Sequence, residues 1–280
     1  KHSNKKSYSA FCEDINKHVI VLTEYRNILS EIDISGSFFQ RLGSVGYMLQ
    51  SYYELHSNKK YDESVRYSFG FEGFLDNLRG VSSHYSSGYI SAAQLDNTSS
   101  CSFKKQYYPG HMDETDCIKN NCELDKKLII TGPNASGKTT MLKSTTINVI
   151  CSQQIGCGFY ESAVINPYTH IHSYLNIPDT SERDSLFQAE SRRCKEIIDS
   201  IVKCPSEEGY RHFGIFDELY SGTNPNEATK SGFAFLKYLS KFNHVDFILT
   251  THYVKICSKF KKNKFIRNHK MDVVQDNLGK

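Results

Sequence analysis

Residues 132–139 combine glycines, a lysine and a threonine in an order suited to holding phosphate groups. The segment follows the apolar run 128–131 and reads Gly132-Pro133-Asn134-Ala135-Ser136-Gly137-Lys138-Thr139. Glycines let the backbone turn tightly enough for successive N–H groups to point at phosphate oxygens, and a lysine placed like Lys138 reaches the β and γ phosphates. The sequence therefore predicts a nucleotide-binding loop in which Thr139 offers its hydroxyl to Mg²⁺.

The segments on both sides of this loop are those that a phosphate-binding loop requires. The run 128–131 is typical of a buried strand, and residues 139–152 place apolar or small side chains on one helical face. These side chains are Met141, Leu142, Thr145 and Val149. A helix that begins at the loop directs the positive end of its dipole at the phosphates. Strand, loop and helix in this order argue against a chance glycine-rich turn.

Two acids and a histidine stand at the ends of later apolar runs. Asp217 and Glu218 follow residues 213–216, and His252 follows residues 246–251. Carboxyl ends of parallel strands share the sheet edge where ligands bind. We predict that Asp217 holds Mg²⁺, that Glu218 polarises the attacking water in ATP hydrolysis, and that His252 senses the γ phosphate. The alternative for His252 is a surface histidine at a strand end.

The first part of the chain has helical periodicity. Apolar spacing predicts helices over 11–29 and 38–53 and a shorter one over 71–78, with their stripes in a core. The stripe residues are Phe11, Ile15, Val19, Leu22, Leu29, Phe38, Leu42, Val45, Leu49, Tyr52, Phe71, Phe74, Leu75 and Leu78. Residues 82–102 are rich in Ser, Gly, Asn and Tyr, which indicates an irregular linker or surface loops. We therefore expect a helical segment with a Ser-rich linker over 1–106.

From residue 107 onward, short apolar runs alternate with longer helical patterns. Predicted strands cover 128–131, 163–166, 213–217 and 246–251, and predicted helices cover 139–152, 183–203 and 226–241. Strands that are apolar on both faces and alternate with helices indicate a mostly parallel sheet covered by helices. The predicted fold class is therefore α/β, with a nucleotide-binding domain over 107–280.

Composition sets broad limits on compartment and ligands. Lys and Arg total 34 against 31 Asp and Glu, a balance that indicates neither a nucleic acid nor a membrane partner for the whole chain. The nine cysteines form no CxxC pair, so we expect reduced thiols in an intracellular protein, cytoplasmic or nuclear and not secreted. The pairs Cys117 with Cys122 and His170 with His172 lack a second matching pair for zinc. The start, without Met or an apolar leader, looks like a piece of a longer protein.

Four motifs in order along the chain carry a family resemblance. They are TGPNASGKTT at 131–140, SLFQAE at 185–190, DELYSGT at 217–223 and LTTHY at 249–253. They resemble the T-G-P-N-x-[SG]-G-K-[ST]-[ST], S-x-F-x-x-E, D-E-x-x-x-G-T and [FL]-x-T-H-[YF] motifs of the MutS family of DNA mismatch-repair proteins, within the ABC-type P-loop ATPases. Residues 156–160 stand where that family has a G-x-F-V-P-A turn. The segment before Ser185 lacks the usual glycine, which resembles a divergent branch such as that of large DNA viruses.

The resemblance implies an ATPase that uses ATP and Mg²⁺ at a composite dimer interface. Residues Gly132 to Thr140 would bind the nucleotide together with Ser185, which in this family approaches the γ phosphate bound by the other subunit. The dimer would be a homodimer or a heterodimer, with double-stranded DNA held mostly by regions outside this chain and no membrane contact. From the residues alone, Ser185 or Asp184 equally suits the N-cap of the following helix.

The function predicted from these features is ATP binding and hydrolysis in a MutS-like mismatch repair protein that works as an ATP-gated dimer clamp on DNA. No Phe-x-Glu mismatch-reading wedge occurs near the start, so mismatch recognition requires other sequence. One alternative is an ABC- or SMC-like clamp for recombination or chromosome maintenance, and another is a nucleotide-binding dimerisation module. The basic run 255–270 suits a nucleic acid contact or a solvated or partner-binding surface.

Overall fold

The computed structural model describes residues 6–32, 37–112, 117–175 and 186–272. The chain forms two compact units, Lys1–His84 and Tyr85–Lys280. The described part of the first unit is helical, and the second combines helices with two sheets. No helix within the described ranges is both long and apolar enough to cross a membrane.

Three helices make up the first unit: α1 (Lys6–Ser30), α2 (Phe38–Ser57) and α3 (Lys59–Ser86). Helical spacing in the sequence placed the first two correctly, whereas α3 is much longer than the predicted 71–78. Ring contacts and a hydrogen bond join the helices. Tyr25 of α1 donates its hydroxyl to the Ser51 carbonyl of α2 at 3.0 Å, and His18 stacks on Tyr67 of α3 with ring centroids 4.0 Å apart.

The apolar stripes of this unit lie largely in solvent, contrary to the expectation of a core. Val19, Leu42 and Leu49 expose 51, 61 and 65% of their surface. Several of the buried positions are serines instead, including Ser51 and Ser64. Such small side chains give a narrow contact face, so the larger apolar residues beside it stay uncovered within this unit.

The described residues of the second unit form ten strands and four α-helices. The strands are β1 (Ser91–Leu95), β2 (Ser102–Gln106), β3 (Asn120–Glu123), β4 (Lys127–Thr131), β5 (Cys157–Gly158), β6 (Ser162–Ile165), β7 (His170–Tyr174), β8 (His212–Asp217), β9 (Val245–Thr251) and β10 (Ile266–Lys270). The helices are α4 (Lys138–Ile155), α5 (Leu186–Lys203), α6 (Pro225–Leu239) and α7 (Val254–Phe260).

One sheet is entirely parallel, in the order β10-β4-β9-β8-β7. The α/β fold class predicted from the alternation is therefore confirmed. The two outer strands were not predicted, because their sequences lack an apolar run: β7 reads His-Ile-His-Ser-Tyr and β10 reads Ile-Arg-Asn-His-Lys. Edge strands are covered on fewer sides, so their composition carries a weaker signal.

The second sheet is mixed, in the order β3-β2-β6-β1-β5. Strand β6, predicted at 163–166 as a member of the parallel sheet, lies here instead, parallel to β1 and antiparallel to β2. The structure also differs from the linker expected over 82–102, since α3 runs to Ser86 and β1 joins this sheet. The second unit accordingly starts at Tyr85, before the boundary expected after residue 106.

The core lies on both faces of the parallel sheet. In β4, Ile129 packs toward α5, α6 and α7, whereas Leu128 and Ile130 pack toward α4 and the mixed sheet. Strand side chains alternate between faces, so a run buried on both faces must be continuously apolar. This layering fixes the carboxyl ends of β4, β8 and β9 side by side, with α4 beginning just after β4.

Candidate nucleotide-binding site

The loop between β4 and α4 has the backbone conformation of an anion-binding turn. Ala135 and Gly137 have positive φ values of 60° and 84°, and Gly137 immediately precedes α4. A Cβ atom on Gly132 would lie 2.8 Å from the Ser136 hydroxyl, so that position also needs glycine. Residues in the left-handed region turn successive N–H groups toward a common concavity, beside the positive end of the helix dipole.

Lys138 is folded over this loop. Its side chain is 6% exposed, and its ammonium donates to the carbonyls of Gly132 at 2.9 Å and Pro133 at 2.8 Å. The Ser136 hydroxyl is buried and has no hydrogen-bond partner among the described residues. An orphaned buried hydroxyl beside a lysine ammonium fits the oxygens of a phosphate group.

The predicted metal ligands come together from two elements. The Thr139 hydroxyl at the start of α4 lies 3.2 Å from Asp217 Oδ2 at the end of β8. The other carboxylate oxygen of Asp217 accepts a hydrogen bond from Thr250 Oγ1 on β9. A hydroxyl and a carboxylate oxygen are the kind of hard ligands that Mg²⁺ takes, with water and phosphate oxygens completing its shell. Thr250 was not predicted, since a buried strand threonine gives no sequence signal.

Glu218 and His252 form the outer part of the same edge. Glu218 has a φ of 51°, and its N–H donates to the Thr250 carbonyl at 2.9 Å. Its Oε1 lies 3.4 Å from His252 Nδ1, and the two side chains are 38% and 45% exposed. A left-handed conformation costs a non-glycine residue about 1 kcal/mol, so the β8–β9 contacts hold Glu218 in place.

Helix α5 connects to this edge through a tyrosine. The Tyr174 hydroxyl on β7 accepts from the Tyr220 N–H at 3.1 Å and is hydrogen-bonded to Glu190 of α5, and burial raises the pKa of Tyr174. The Glu190 side chain is buried with one carboxylate oxygen unpartnered among the described residues. Glu190 belongs to the S-x-F-x-x-E motif, which could have pointed to it, whereas nothing in the sequence singled out Tyr174.

Ser185, predicted to contact a nucleotide in the other subunit, lies outside the described residues, as does Asp184. The first described residue of α5 is Leu186, and it packs on the turn after Glu218. A Cβ atom on Gly222 would lie 2.1 Å from Leu186 Cδ2. The glycine of the D-E-x-x-x-G-T motif is therefore required by the close approach of α5.

A cavity of about 580 Å³ opens beside the loop. Ala135, Gly137 and Thr140 form one wall of it, and Tyr108 and His111 form part of another. Its remaining lining residues are Gln106, Cys117, Ile118, Asn120, Ser136, Met141, Ser144, Met271 and Asp272. Its volume falls in the range of small-molecule sites. The sequence did not predict this cavity, because its wall is assembled from three separate segments.

The opposite, amino-terminal edge of the parallel sheet holds a histidine cluster made of His170, His172, His212 and His244. His212 Nε2 must donate to the Cys204 carbonyl at 2.9 Å, so its Nδ1 accepts from His172 Nε2, also at 2.9 Å. Burial lowers the pKa of His172 to about 4 and lowers that of His212. Among the described residues, no three His, Cys, Asp or Glu side chains are arranged to hold a metal ion.

Comparison with known families identifies the chain. The family model described as MutS domain V matches residues 128–279, more than half of the chain. The chain belongs to the MutS family. The matched range covers the predicted phosphate-binding loop, Asp217, Glu218 and His252. The family resemblance drawn from the four motifs is therefore confirmed.

Individual relatives in the MutS family extend this finding. A DNA mismatch repair protein MutS from Staphylococcus saprophyticus is 29% identical over 145 residues, covering 51% of this chain and 16% of that protein. The DNA mismatch repair protein MSH3 of Candida glabrata is 26% identical over 98% of this chain and 26% of its own length. Endonuclease MutS2 of Streptococcus pyogenes is 28% identical over 58% of this chain and 20% of its own length. The chain thus spans about a sixth to a quarter of these relatives.

Proposed function

We propose that this chain is the ATP-binding and hydrolysing part of a MutS-like DNA mismatch repair protein that acts as an ATP-gated dimer clamp on DNA. Family membership supports the proposal. The observation that carries it is the meeting of Thr139 with Asp217, 3.2 Å apart at the mouth of the phosphate-binding loop. A hydroxyl and a carboxylate in that place are what a nucleotide-bound Mg²⁺ requires.

Phosphate binding would use groups that are already in place. The Lys138 ammonium would exchange its two carbonyl partners for β- and γ-phosphate oxygens, and the Ser136 hydroxyl would gain a partner. Thr139 and Asp217 would hold Mg²⁺, which supplies charge neutralisation on the phosphates. The hydrogen bond from Thr250 fixes the Asp217 carboxylate for that role.

The nucleoside would occupy the 580 Å³ cavity beside the loop. Tyr108 and His111 line it with ring centroids 5.5 Å apart, and aromatic rings are groups on which a base can stack. Asn120 adds an amide group to the same lining, whereas the Gln106 amide is buried and donates to Thr145. The cavity therefore suits a planar, polar-edged group attached to the phosphates.

Hydrolysis would use the exposed pair at the end of β8 and β9. Glu218 would orient and polarise the attacking water, because its carboxylate lies beyond Asp217 and faces the solvent. His252 contacts Glu218 with Nδ1 at 3.4 Å, which leaves its second ring nitrogen to report the γ phosphate. The Glu218 N–H donates to the Thr250 carbonyl, and the Thr250 hydroxyl donates to the Asp217 carboxylate. These two bonds hold Glu218 next to the proposed metal ligand.

Dimerisation would complete the site. Ser185, just before α5, would approach the γ phosphate held by another subunit, in a homodimer or a heterodimer. Contacts made only with the triphosphate would favour the closed dimer, and hydrolysis would release it. Double-stranded DNA would be held mostly by regions outside this chain.

A second candidate is an ATP-gated clamp in recombination or chromosome maintenance that does not sense mismatches. The similarity to Endonuclease MutS2 favours it, since that relative is as similar as those named for mismatch repair. ATP turnover measured with mismatched and fully paired duplexes separates the two. A greater response to the mismatch supports repair, and equal responses support the second candidate.

The test of the nucleotide site compares Lys138→Ala with Lys143→Ala, an exposed lysine on the same helix. Fluorescent ATP analogue binding should weaken by about 100-fold or more in Lys138→Ala, because the lost ammonium contacts two phosphates. Lys143→Ala should bind like the unmodified chain. Equal affinity in the two variants would refute the assignment of the loop.

A further inference from the structure

Helices α6 and α7, with the turns that follow them, present a set of exposed lysines that the nucleotide site does not use. We call this set the lysine patch, and it consists of Lys230, Lys237, Lys241, Lys255, Lys259 and Lys262. In α6, Lys230 and Lys237 lie seven residues apart on one helical face, opposite the buried Gly232, Leu236 and Leu239, and Lys241 follows in the turn after the helix. In α7, the exposed Lys255 and Lys259 lie four residues apart on one helical face, and Lys262 follows in the turn after the helix.

One aromatic contact joins the lysines of the two helices into a single surface. Phe233 of α6 and Phe260 of α7 pack with ring centroids 5.0 Å apart. The Lys259 ammonium lies 4.6 Å from the centroid of the Phe233 ring, and the Lys237 ammonium lies 5.8 Å from it. Two cations from separate helices thus approach the same ring, and the patch is continuous across the α6–α7 contact.

The charge of the lysine patch is not balanced by the chain. None of its six ammonium groups pairs with a carboxylate of the described residues. Residues 228–270 contain ten lysines and arginines and one acid, Asp246, which is largely buried and bonded to Arg211. The far end of the basic run is different, since Arg267 pairs with Asp125 and Lys270 with Asp272.

The type of cation distinguishes between possible partners. Protein interfaces are depleted in lysine and enriched in arginine and aromatic residues. Phosphate backbones are instead bound by distributed cations that release condensed counterions, without a shaped pocket. The lysine patch contains no arginine, and its central ring, Phe233, is already packed and covered by lysines, so it offers no platform for unstacked bases.

We propose that the lysine patch binds the phosphate backbone of double-stranded DNA without reading its sequence. This contact belongs to the chain itself, in addition to any DNA contacts made elsewhere in a longer protein. Both helices begin at the carboxyl edge of the parallel sheet, α6 after Gly222 and α7 directly after Tyr253. The patch binds through charge alone, so it acts whether or not the nucleotide site is functional.

The test measures binding of a labelled duplex of mixed sequence by fluorescence anisotropy across a salt series. The patch variant carries Lys237→Gln, Lys255→Gln and Lys259→Gln. The control carries Lys126→Gln, Lys143→Gln and Lys195→Gln, which removes the same charge from exposed positions elsewhere. The patch variant should lose at least about tenfold in affinity and lower the salt slope by about 2 to 3, because about 0.9 is lost per phosphate contact. The control should change affinity less than about twofold by the same relation.

Two further measurements distinguish DNA binding from a folding defect and from binding to an acidic protein. Replacing the three patch lysines with arginine keeps their charge and should give the affinity of the unmodified chain. This result would show that the glutamine variant loses affinity because charge is lost. Poly-glutamate is the competitor that represents an acidic protein partner. The proposal is overturned if both glutamine variants weaken equally, if neither weakens, or if poly-glutamate binds more tightly than the duplex. Lys138→Ala should bind the duplex normally, which separates this proposal from the nucleotide site.

Discussion

The parallel sheet has ionisable residues at both edges, and they are exposed at the carboxyl edge but buried at the amino edge. At the carboxyl edge, Glu218 and His252 are 38% and 45% exposed, and they touch each other only at 3.4 Å. At the amino edge, His172 and His212 are buried and hydrogen-bonded at 2.9 Å. The same strand, β8, supplies a residue to each edge. Burial and pairing within the chain therefore distinguish these two sets of strand-end residues.

Electrostatics reinforce this contrast. The hydrogen bonds among His172, His212 and the Cys204 carbonyl are complete when both rings are neutral, and burial lowers the pKa of both histidines. An added proton would therefore have to break that network. At the carboxyl edge, the buried Ser136 hydroxyl lacks a partner, and the Lys138 ammonium bonds only to loop carbonyls. The His172–His212 pair at the amino edge is therefore satisfied within the chain, whereas Ser136 and Lys138 at the carboxyl edge carry groups that a ligand can bind.

The largest expected effect is on catalysis at the carboxyl edge. Glu218→Gln should reduce ATP hydrolysis by about 100-fold or more while nucleotide binding is retained, because the amide cannot act as a base. Steady-state phosphate release measures this effect. Glu208→Gln, which alters an exposed acid before the amino end of β8, is the matched control. Unchanged turnover in Glu218→Gln would remove this glutamate from the mechanism.

The second expected effect is a pH dependence of the free energy of unfolding that originates at the amino edge. The folded pKa of His172 is lowered to about 4, below its ordinary value of 6.5. Its neutral form thus stabilises the fold above about pH 6.5, and that stability is lost as the pH falls toward 4. Between pH 7.5 and pH 5 the loss should be about 2 kcal/mol in the free energy of unfolding.

Urea unfolding at these two pH values provides the measurement. His172→Gln should shrink the pH-dependent loss by about that 2 kcal/mol. His252→Gln, the control from the other edge, should leave the loss as it is in the unmodified chain. If His172→Gln and the unmodified chain lose equal stability, the amino edge is not the origin of the pH dependence.

A smaller effect is expected at Thr250, which joins the carboxyl edge to the core. Thr250→Val preserves the shape of the side chain and removes its hydrogen bond to Asp217. The Mg²⁺ concentration for half-maximal hydrolysis should rise by about tenfold, equivalent to one hydrogen bond to a charged group. Thr250→Ser should restore the original midpoint. An unchanged midpoint in Thr250→Val would show that this bond does not position the carboxylate.

The smallest expected effect is the change in the free energy of unfolding when His252 is replaced. His252→Gln should change the free energy of unfolding by less than about 0.5 kcal/mol, because its contact with Glu218 is exposed. His212→Gln should cost about 1 to 3 kcal/mol, since it disrupts buried hydrogen bonds on both sides of the ring. Thermal or urea unfolding at pH 7.5 compares the two. Equal losses would erase the distinction between the edges.

Much of the parallel sheet was predictable, because its central strands are apolar on both faces. The runs at β4, β8 and β9 and the helical patterns of α4 and α6 matched the structure to within a few residues. The edge strands β7 and β10 were not predictable, since their polar and basic residues resemble loops. Strand β1 was not predicted, because its residues are small or polar and the segment around it has the composition of a linker.

The candidate site was predictable where a short motif contains the residue types that the proposed chemistry requires. Lys138, Thr139, Asp217, Glu218 and His252 were all named from local motifs, and the structure places Thr139 beside Asp217 and Glu218 beside His252. The supporting residues were not predictable. Thr250 and Tyr174 act through contacts with residues distant in sequence, which no local pattern encodes.

The sequence by itself predicted the phosphate-binding loop and determined the turn between β4 and α4 and the α/β alternation, because backbone turns, helix starts and strand burial depend on local residue order. Only the tertiary structure decided which polar residues remain unsatisfied. It placed His252 in solvent and His172 in a closed network, and it joined Lys237 and Lys259 from separate helices over one aromatic ring. Burial and pairing depend on contacts between distant segments, so they are fixed only when the chain is folded.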